Sequence, residues 1–560
     1  MKVVIIGGVA GGATTATRLR RLNEKAEIIV FERGNHISFA NCGLPYYIGD
    51  VIQEEQELLL QTPKSFKERF NIDVRVKTEV IKINKVDKQV IVKDYLKNVE
   101  YSENYDKLVI ATGAEPINPF RGINDDKIFT LRNVEDSVRI KDYIEQEKPN
   151  NICIIGGGYI GVEISENIRQ YSRKNNYNPE ITIIDRNSHL IPTLDEDMSE
   201  FVHRALRKNN INVLLQRNVD KIEENCEIKV RDQNEKSIIK SDLIIVSMGV
   251  KPESKLAIEA KIETTERNNI VVDEQMLTSD NNIYALGDVA QVINSVTKMP
   301  SYIPLAGPAN RQARIVANNI CGMDTKYEGA IGSSILKIFN NNLAMTGISE
   351  DICKAKNISY KKMIITPYSH ATYYPGASHL TIKALYTPKS GRILGATVWG
   401  KENVDKIADI LATAIRMNMT AKNLSELELC YAPPFSSAKS PVNILGNAIE
   451  NEIDGLVSNV YVEDIKDKLN SEEKPYILDV RTNEEYERGH IKNVVHIPLD
   501  SLRENLGKID KSKEIYVHCF TGLRSYIACM ILKQNGYNVK NIIGGQYFME
   551  INGINFGKDI

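Results

Sequence analysis

The 560-residue sequence has no excess of basic charge, no closely paired cysteines and no long apolar run. Lysine and arginine number 71 against 73 aspartate and glutamate, a net charge of −2. Nothing in that balance suggests nucleic acid as a partner. No stretch reaches the roughly eighteen apolar residues that a membrane-crossing helix needs. The start, Met1 to Gly7, has no cleavage-like site and runs into glycines, so it reads as a first strand rather than a signal peptide. The eight cysteines, at 42, 153, 226, 321, 353, 430, 519 and 529, lack the spacing of a disulfide framework. Free thiols of this kind fit a reducing cytoplasm. There is no CxxC, and the eight histidines do not cluster with cysteine, so no metal site is expected.

What is present is organised around Ser38-Phe39-Ala40-Asn41-Cys42-Gly43-Leu44-Pro45-Tyr46-Tyr47. Cys42 has no second cysteine within the next hundred residues, so any redox role falls to one thiol. Asn41 and Gly43 are small or polar and leave the sulfur accessible. Pro45 suits the first turn of a helix, whose N-terminal N–H groups would favour a thiolate. The bland alternative is a buried structural cysteine. The flanking motifs argue against it.

Residues 2–6 form a continuous apolar run of buried parallel-strand type. Gly7, Gly8, Val9, Ala10, Gly11 and Gly12 follow, then a helical stretch over 13–22 and a second apolar run over 27–31 that ends at Glu32. This order is a βαβ unit. Its glycines let the backbone approach a pyrophosphate at a helix N-terminus, and its acid can bond a ribose hydroxyl. Val9 stands where the GxGxxG pattern has its second glycine. A second unit runs from Ile152 through Gly156-Gly157-Gly158-Tyr159-Ile160-Gly161 to Ile184 and Asp185. An acid at that strand end favours NADH over NADPH, because it repels a 2′-phosphate, although Arg186 follows directly. Strand-and-turn signals also end at Ala111-Thr112-Gly113, at Gly249 and at Tyr284-Ala285-Leu286-Gly287-Asp288.

Two dinucleotide sites with a lone thiol between them in sequence imply a flavin and a nicotinamide cofactor. On these motifs residues 1–450 resemble the pyridine nucleotide–disulfide oxidoreductase family, in its single-cysteine branch. The resemblance implies FAD on Gly7, Gly8, Ala10, Gly11, Glu32, Arg33, Ala111, Thr112, Gly113 and Asp288. It implies NAD(P)H on Gly156, Gly158, Tyr159, Gly161, Asp185 and Gly249. Single-cysteine members include coenzyme A disulfide and CoA-persulfide reductases, NADH oxidases and NADH peroxidases. The oxidases and peroxidases typically carry a histidine in the first glycine loop, and this chain has none there. The stretch around Cys42 and the run Tyr431-Ala432-Pro433-Pro434-Phe435 are similar to the CoA-dependent branch. By that resemblance Tyr431 reaches the active site of the second subunit and protonates a leaving thiolate, with Tyr373 and Tyr374 nearby. Coenzyme A, which can stay tightly bound, would lie along Thr14, Arg18, Arg21, Ser38 and Asn41, with Asn310 and Lys439 as further contacts. Arg18 and Arg21 share a helix face, and CoA phosphates need cations.

After residue 450 the pattern changes. An apolar strand pattern over 515–518 ends on Cys519, and Phe520-Thr521-Gly522-Leu523-Arg524-Ser525 leads into a helix. Loop N–H groups converging on the sulfur, the helix dipole and Arg524 favour a thiolate. With Leu478-Asp479-Val480-Arg481 and Gly489-His490-Ile491, this region resembles a rhodanese domain, in which the cysteine carries sulfane sulfur. The expected fold is α/β. Residues 1–115 with 250–325 form an FAD-binding domain, 116–249 an NAD(P)H-binding domain and 326–450 an α+β dimerisation domain. Residues 451–458 are a linker and 459–560 an α/β rhodanese domain. The expected function is an FAD-dependent, NADH-preferring reductase of CoA persulfide or polysulfide and of CoA disulfide, cytoplasmic and homodimeric. An NADH oxidase, or a sulfurtransferase module with a redox-sensing flavin, is the alternative.

Overall fold

The apolar run at the start is the central strand, Lys2–Ile6, of a five-stranded parallel sheet. Glu27–Phe31 and Asp73–Arg75 lie on one side of it, Lys107–Ile110 and Ile283–Ala285 on the other. Such strands are buried on both faces, which is why they read as unbroken apolar runs. The computed structural model describes residues 1–123, 126–232 and 235–557. The chain divides into two compact units: residues 1–191 with 206–332, and residues 192–205 with 333–560.

The first unit holds a second five-stranded parallel sheet. Its order is Ile211–Leu214, Glu180–Ile184, Asn151–Ile155, Leu243–Val246 and Ile128–Phe129. Each parallel sheet is accompanied by a three-stranded antiparallel one, Thr78–Asn104 and Asn218–Lys240. A two-stranded ladder pairs Ala114–Pro116 with Val250–Pro252, where the chain leaves one sheet for the other and returns.

The second unit contains a five-stranded antiparallel sheet. Its order is Ser334–Ile338, Asn341–Gly347, Ile393–Gly400, Leu380–Tyr386 and Lys361–Ile365. The helices Val404–Arg416 and Pro441–Ile453 belong to the same unit. The unit ends in a five-stranded parallel sheet ordered Asn459–Val460, Asn538–Ile542, Glu514–His518, Tyr476–Asp479 and Val495–His496. The fold is thus α/β, with parallel sheets at both ends of the chain and an antiparallel sheet between them, as the sequence patterns imply. Among the described residues, no helix is long and apolar enough to cross a membrane.

A buried ionic cluster sits in the second unit. Lys383, 1% exposed on a strand buried at every position, pairs with Asp195 at 2.9 Å, with Asp197 at 2.6 Å and with Glu350. Lys362 meets Glu350 at 3.1 Å and reaches Glu463 at 2.5 Å. Asp195, Asp197 and Glu350 lie close enough together to suggest a cation site. Lys383 already supplies the positive charge there.

Candidate active sites

The first glycine loop is shaped by contacts that admit no side chain. Gly7 has φ +97°, and a Cβ there would sit 2.3 Å from the Ala111 carbonyl oxygen. A Cβ on Gly12 would sit 1.9 Å from the Gly7 oxygen, so the helix Ala10–Leu22 packs against the strand only through glycine. Val9 has φ −95°, outside the left-handed region that favours glycine, so the position does not require one. Glu32 accepts from Gly8 N–H and Gly34 N–H, both at 2.8 Å. Arg33 donates to Glu115 at 2.7 Å, and Thr112 Oγ1 to the Glu253 carbonyl at 2.6 Å. A cavity of about 250 Å³ opens between Gly7, Glu32, Arg33, Thr112 and Glu253. At Gly113, φ +72°, a Cβ would meet Arg132 at 2.8 Å. Asp288 follows the strand Ile283–Ala285 in a short 3-10 turn, and burial raises its pKa while Arg132 opposes the shift. The Tyr302 hydroxyl, under the electrostatic influence of Asp288, is buried with no hydrogen-bond partner among the described residues. A glycine cradle, an engaged acid, a cavity and an unpartnered hydroxyl all fit a dinucleotide of the FAD type.

Cys42 lies in a 3-10 turn, Asn41–Gly43, that runs directly into the helix Leu44–Ile48. The residue is exposed. The expected thiolate-favouring environment is not what the protein side chains provide. Partial burial of the thiol pushes its pKa up, and the carboxylates of Glu163 and Asp288 add to the shift. Five residues make a weak helix dipole, and two acids outweigh it. Glu163, on the helix Tyr159–Lys174, is itself pushed up to about 7 by burial. It accepts from Tyr46 Oη at 3.4 Å. Tyr46 is pushed up to about 12, by burial and then by Glu163.

Of the residues expected to meet CoA, one hydrogen bond joins two. Thr14 Oγ1 donates to Asn310 Oδ1 at 2.7 Å, joining positions 296 residues apart. Arg18 donates twice to Asn318, at 3.1 Å each. Arg21 is exposed. Arg20 is not part of any cationic surface: it is buried and donates to the carbonyls of Phe70, Asn23, Glu24 and Asn71. Ser38 adopts φ 44° and its N–H donates to the Gly8 carbonyl at 2.9 Å, tying the cysteine stretch to the glycine loop. The Asn41 amide, oriented to satisfy both ends, donates to the Arg132 carbonyl at 3.0 Å and accepts from its guanidinium at 2.7 Å. Arg132 therefore connects Asn41, Gly113 and Asp288. No motif marks it in the sequence.

The second glycine loop repeats the logic. Gly156 has φ +107°, and a Cβ would meet the Ser247 carbonyl at 2.3 Å. On Gly161 it would lie 2.1 Å from the Gly156 oxygen. Above Gly158 nothing lies within 4 Å, so the loop faces open space at the helix start, next to Tyr159. Gly249, φ +97°, also has open space. Asp185 accepts from Gly157 N–H at 2.6 Å and Asn187 N–H at 2.8 Å. This site too has room for a dinucleotide where its backbone donors point.

In the second unit, Tyr373 and Tyr431 share a hydrogen bond of 2.8 Å between their hydroxyls. Both are exposed, as are Tyr374, Phe435, Cys430 and Lys439. The strand Glu514–His518 delivers Cys519, which is buried, to a loop whose Gly522 N–H points at its sulfur at 3.1 Å. Gly522 has φ +107°. The helix Leu523–Gln534 follows. Gly545 approaches so closely that a Cβ would sit 2.7 Å from the Cys519 carbonyl oxygen. Arg524 is gripped by Glu485 through two bonds of 2.7 Å, and Glu485 is held down at about 2, mainly by that contact. Sequence reading missed Glu485, because in Asn483-Glu484-Glu485-Tyr486-Glu487-Arg488 it looks like one more solvated helix charge.

Comparison with known proteins agrees with this geometry. Residues 1–313 match the family model described as pyridine nucleotide-disulphide oxidoreductase, and residues 334–441 match the dimerisation domain of the same family. Residues 461–547 match a rhodanese-like domain. A coenzyme A disulfide reductase of Staphylococcus aureus (strain JH9) is 36% identical over 446 residues, 80% of this chain and 99% of its own. The crystal structure of reduced Bacillus anthracis CoADR-RHD superposes with a TM-score of 0.93 at 44% identity, covering 98% of both chains. A NAD-dependent persulfide reductase from A. fulgidus gives a TM-score of 0.91 at 36% identity, covering 98% of this chain and 100% of that one.

Proposed function

Because the chain belongs to the pyridine nucleotide-disulphide oxidoreductase family, we propose that it is an NADH-preferring reductase of CoA persulfide and CoA disulfide. The observation that carries this reading is one exposed cysteine, Cys42, beside a dinucleotide cradle in a chain that also holds a Cys519 loop. The similar proteins named as a CoA disulfide reductase and a persulfide reductase support it. Family membership implies FAD and NAD(P)H. When bound, these supply the two electrons that return the enzyme to its starting state.

Gly7, Gly8, Ala10, Gly11, Glu32, Arg33, Ala111, Thr112, Gly113 and Asp288 hold the FAD. Gly156, Gly158, Tyr159, Gly161, Asp185 and Gly249 hold the NADH. Asp185, at the strand end, disfavours a 2′-phosphate. Coenzyme A, retained tightly, lies on Thr14, Arg18, Arg21, Ser38, Asn41 and Asn310, with Lys439 as a further contact. The Cys42 thiolate attacks the CoA-side sulfur of CoA–S–S–H. The S–S bond breaks, hydrosulfide leaves with the electron pair, and a Cys42–S–S–CoA disulfide forms. The Tyr431 hydroxyl gives its proton to the departing CoA thiolate when that disulfide is reduced. Cys519, steadied by the loop N–H groups and Arg524, carries sulfane sulfur that CoA collects. Residues 1–115 with 250–325 bind FAD, 116–249 NADH and 326–450 the second subunit of a homodimer. Residues 451–458 link to a rhodanese domain over 459–560. The exposed Tyr373, Tyr374, Tyr431 and Phe435 form the aromatic surface that the second subunit covers. The free thiols suit a cytoplasmic enzyme.

The test is anaerobic NADH consumption with CoA persulfide, with CoA disulfide and with no acceptor, in wild type and Cys42→Ser. Thiol-dependent turnover that the substitution abolishes is expected. NADH oxidation that starts on admitting oxygen without any thiol acceptor, and that survives the substitution, would make the chain an oxidase instead.

A further inference from the structure

Arg524 is the one cation in the loop Cys519-Phe520-Thr521-Gly522-Leu523-Arg524-Ser525; it faces the Cys519 sulfur, and most of its charge is already taken up by a carboxylate. Its Nη1 donates to Glu485 Oε2 and its Nη2 to Oε1, each at 2.7 Å. A planar fork-to-fork pair of this kind is the strongest geometry available to a guanidinium. The pair is also prefabricated. Glu485 lies in the first turn of the helix Asn483–Arg488, its carboxylate accepts from Thr482 N–H at 2.9 Å, and its own N–H donates to Thr482 Oγ1 at 3.3 Å.

Of the other positive or potentially positive groups around the loop, Arg481 is committed to a carboxylate and burial disfavours charge on two histidines, while Arg204, among the described residues, acts only on Tyr547, which packs against Phe520. Arg481, 1% exposed, donates to Asp479 from Nε and Nη2, and to Gln546. His518, behind the cysteine, is fully buried, and burial holds its pKa below the ordinary imidazole value. His379, packed 5.7 Å from Phe520, is shifted the same way by burial. The loop's backbone N–H groups and the helix dipole can steady one thiolate or persulfide charge, but no uncompensated side-chain cation among the described residues of the loop stands by for a dianion.

The outer side of the loop is apolar instead. Leu523, directly after the Gly522 whose N–H meets the Cys519 sulfur, is 66% exposed, and Ile527 is 38% exposed. They are four apart on the helix Leu523–Gln534 and share a face. Two aliphatic side chains left open on the first turns of the helix that follows the Cys519 loop fit a carrier with a carbon chain.

We propose that Cys519 is loaded by an alkyl persulfide, R–S–S–H, rather than by an inorganic dianion such as thiosulfate, and that Glu485 sets this preference by compensating Arg524. The proposal rests on the reading of Cys519 as a sulfane-sulfur carrier and adds its donor class. In the step, the Cys519 thiolate attacks the outer sulfur. The S–S bond of the donor breaks, the thiolate R–S⁻ leaves with the electron pair, and the proton stays on the new Cys519–S–S–H. Thiosulfate would bring two charges and release sulfite with two, beside an arginine whose charge is already compensated. Glu485 acts through Arg524 and is a positioning residue.

The experiment uses full-length holoenzyme carrying Cys42→Ser, so that sulfur stays on the rhodanese cysteine. Glutathione persulfide, CoA persulfide and thiosulfate are compared as donors, with sulfur transfer to cyanide and the intact mass as readouts and Cys519→Ser as control. The persulfides are expected to exceed thiosulfate in kcat/KM by about tenfold or more, and Glu485→Gln to shift that ratio toward thiosulfate by about tenfold. The two persulfide arms show whether any alkyl carrier serves or CoA alone. Thiosulfate working as well as either persulfide in the parent would overturn the proposal. So would a ratio that Glu485→Gln leaves in place, a readout that a merely structural role would not move. If no donor loads Cys519, the proposal fails together with the carrier reading. If only the donor order is reversed, the carrier reading stands and this inference alone falls.

Discussion

Glu163 controls two neighbours at once, and its own charge changes near neutrality. Its carboxyl is pushed up to about 7 by burial, and it adds to the upward shift of Cys42. Replacing it with glutamine removes a negative charge from the thiol's surroundings. The pH midpoint of Cys42 alkylation by iodoacetamide should therefore move down in Glu163→Gln, and an unchanged midpoint would show that burial alone sets it. The stability consequence has a definite sign. An unfolded glutamate titrates near its ordinary 4.5, so between about 4.5 and 7 the folded chain binds more protons than the unfolded one. Glu163 thus makes stability fall as pH rises through that window, with no further change above it. Urea midpoints at pH 5 and pH 8 should differ less in Glu163→Gln than in the parent. Cys42 itself was plain in the sequence, because a lone cysteine set between two glycine loops points to thiol redox chemistry. Its electrostatic neighbours were not, because Glu163 and Asp288 reach it from positions 121 and 246 residues away. Arg132 was invisible for the same reason.

At the scale of elements, the two glycine loops test the difference between packing and binding. Gly161→Ala drives a methyl into the Gly156 carbonyl and should cost about 1–3 kcal/mol in chemical denaturation. Gly158→Ala meets no protein atom within 4 Å. It should fold with an unchanged melting temperature yet bind NADH more weakly by fluorescence titration. A Gly158→Ala protein that binds NADH normally would remove that residue from the cofactor site. The strand Leu380–Tyr386 carries a different liability. Lys383→Met leaves Asp195, Asp197 and Glu350 without their closest cation, and a loss of about 3–5 kcal/mol in urea unfolding is expected. The parallel strands and their helices were legible because apolar runs, glycines and terminal acids repeat locally. The carboxylate cage was not, since its members come from three separate segments. The one clue was a lysine in the midst of Leu380-Thr381-Ile382-Lys383-Ala384-Leu385-Tyr386, a run buried at every position.

For the whole molecule, the proposed sharing of active sites between subunits predicts complementation. Cys42→Ser and Tyr431→Phe proteins, each impaired alone, should regain about a quarter of wild-type turnover when co-refolded as mixed dimers, since half of the sites in half of the dimers are intact. Recovery absent from verified heterodimers would place both residues in one subunit's site. The rhodanese-like region is joined to the antiparallel sheet by a brief connection. The helix Pro441–Ile453 is followed by the strand Asn459–Val460, so residues 454–458 can span only about 17 Å. Tyr461 Oη also accepts from Lys362 N–H, and Asn459 donates to Glu452 at 2.9 Å. A tether that short fixes the effective concentration of the Cys519 loop near the rest of its own chain, whatever the dilution of the protein. On the proposed carrier role of Cys519, sulfur should be handed on within one molecule, so added cyanide should divert little of it and the coupled rate per enzyme should not change as the enzyme is diluted.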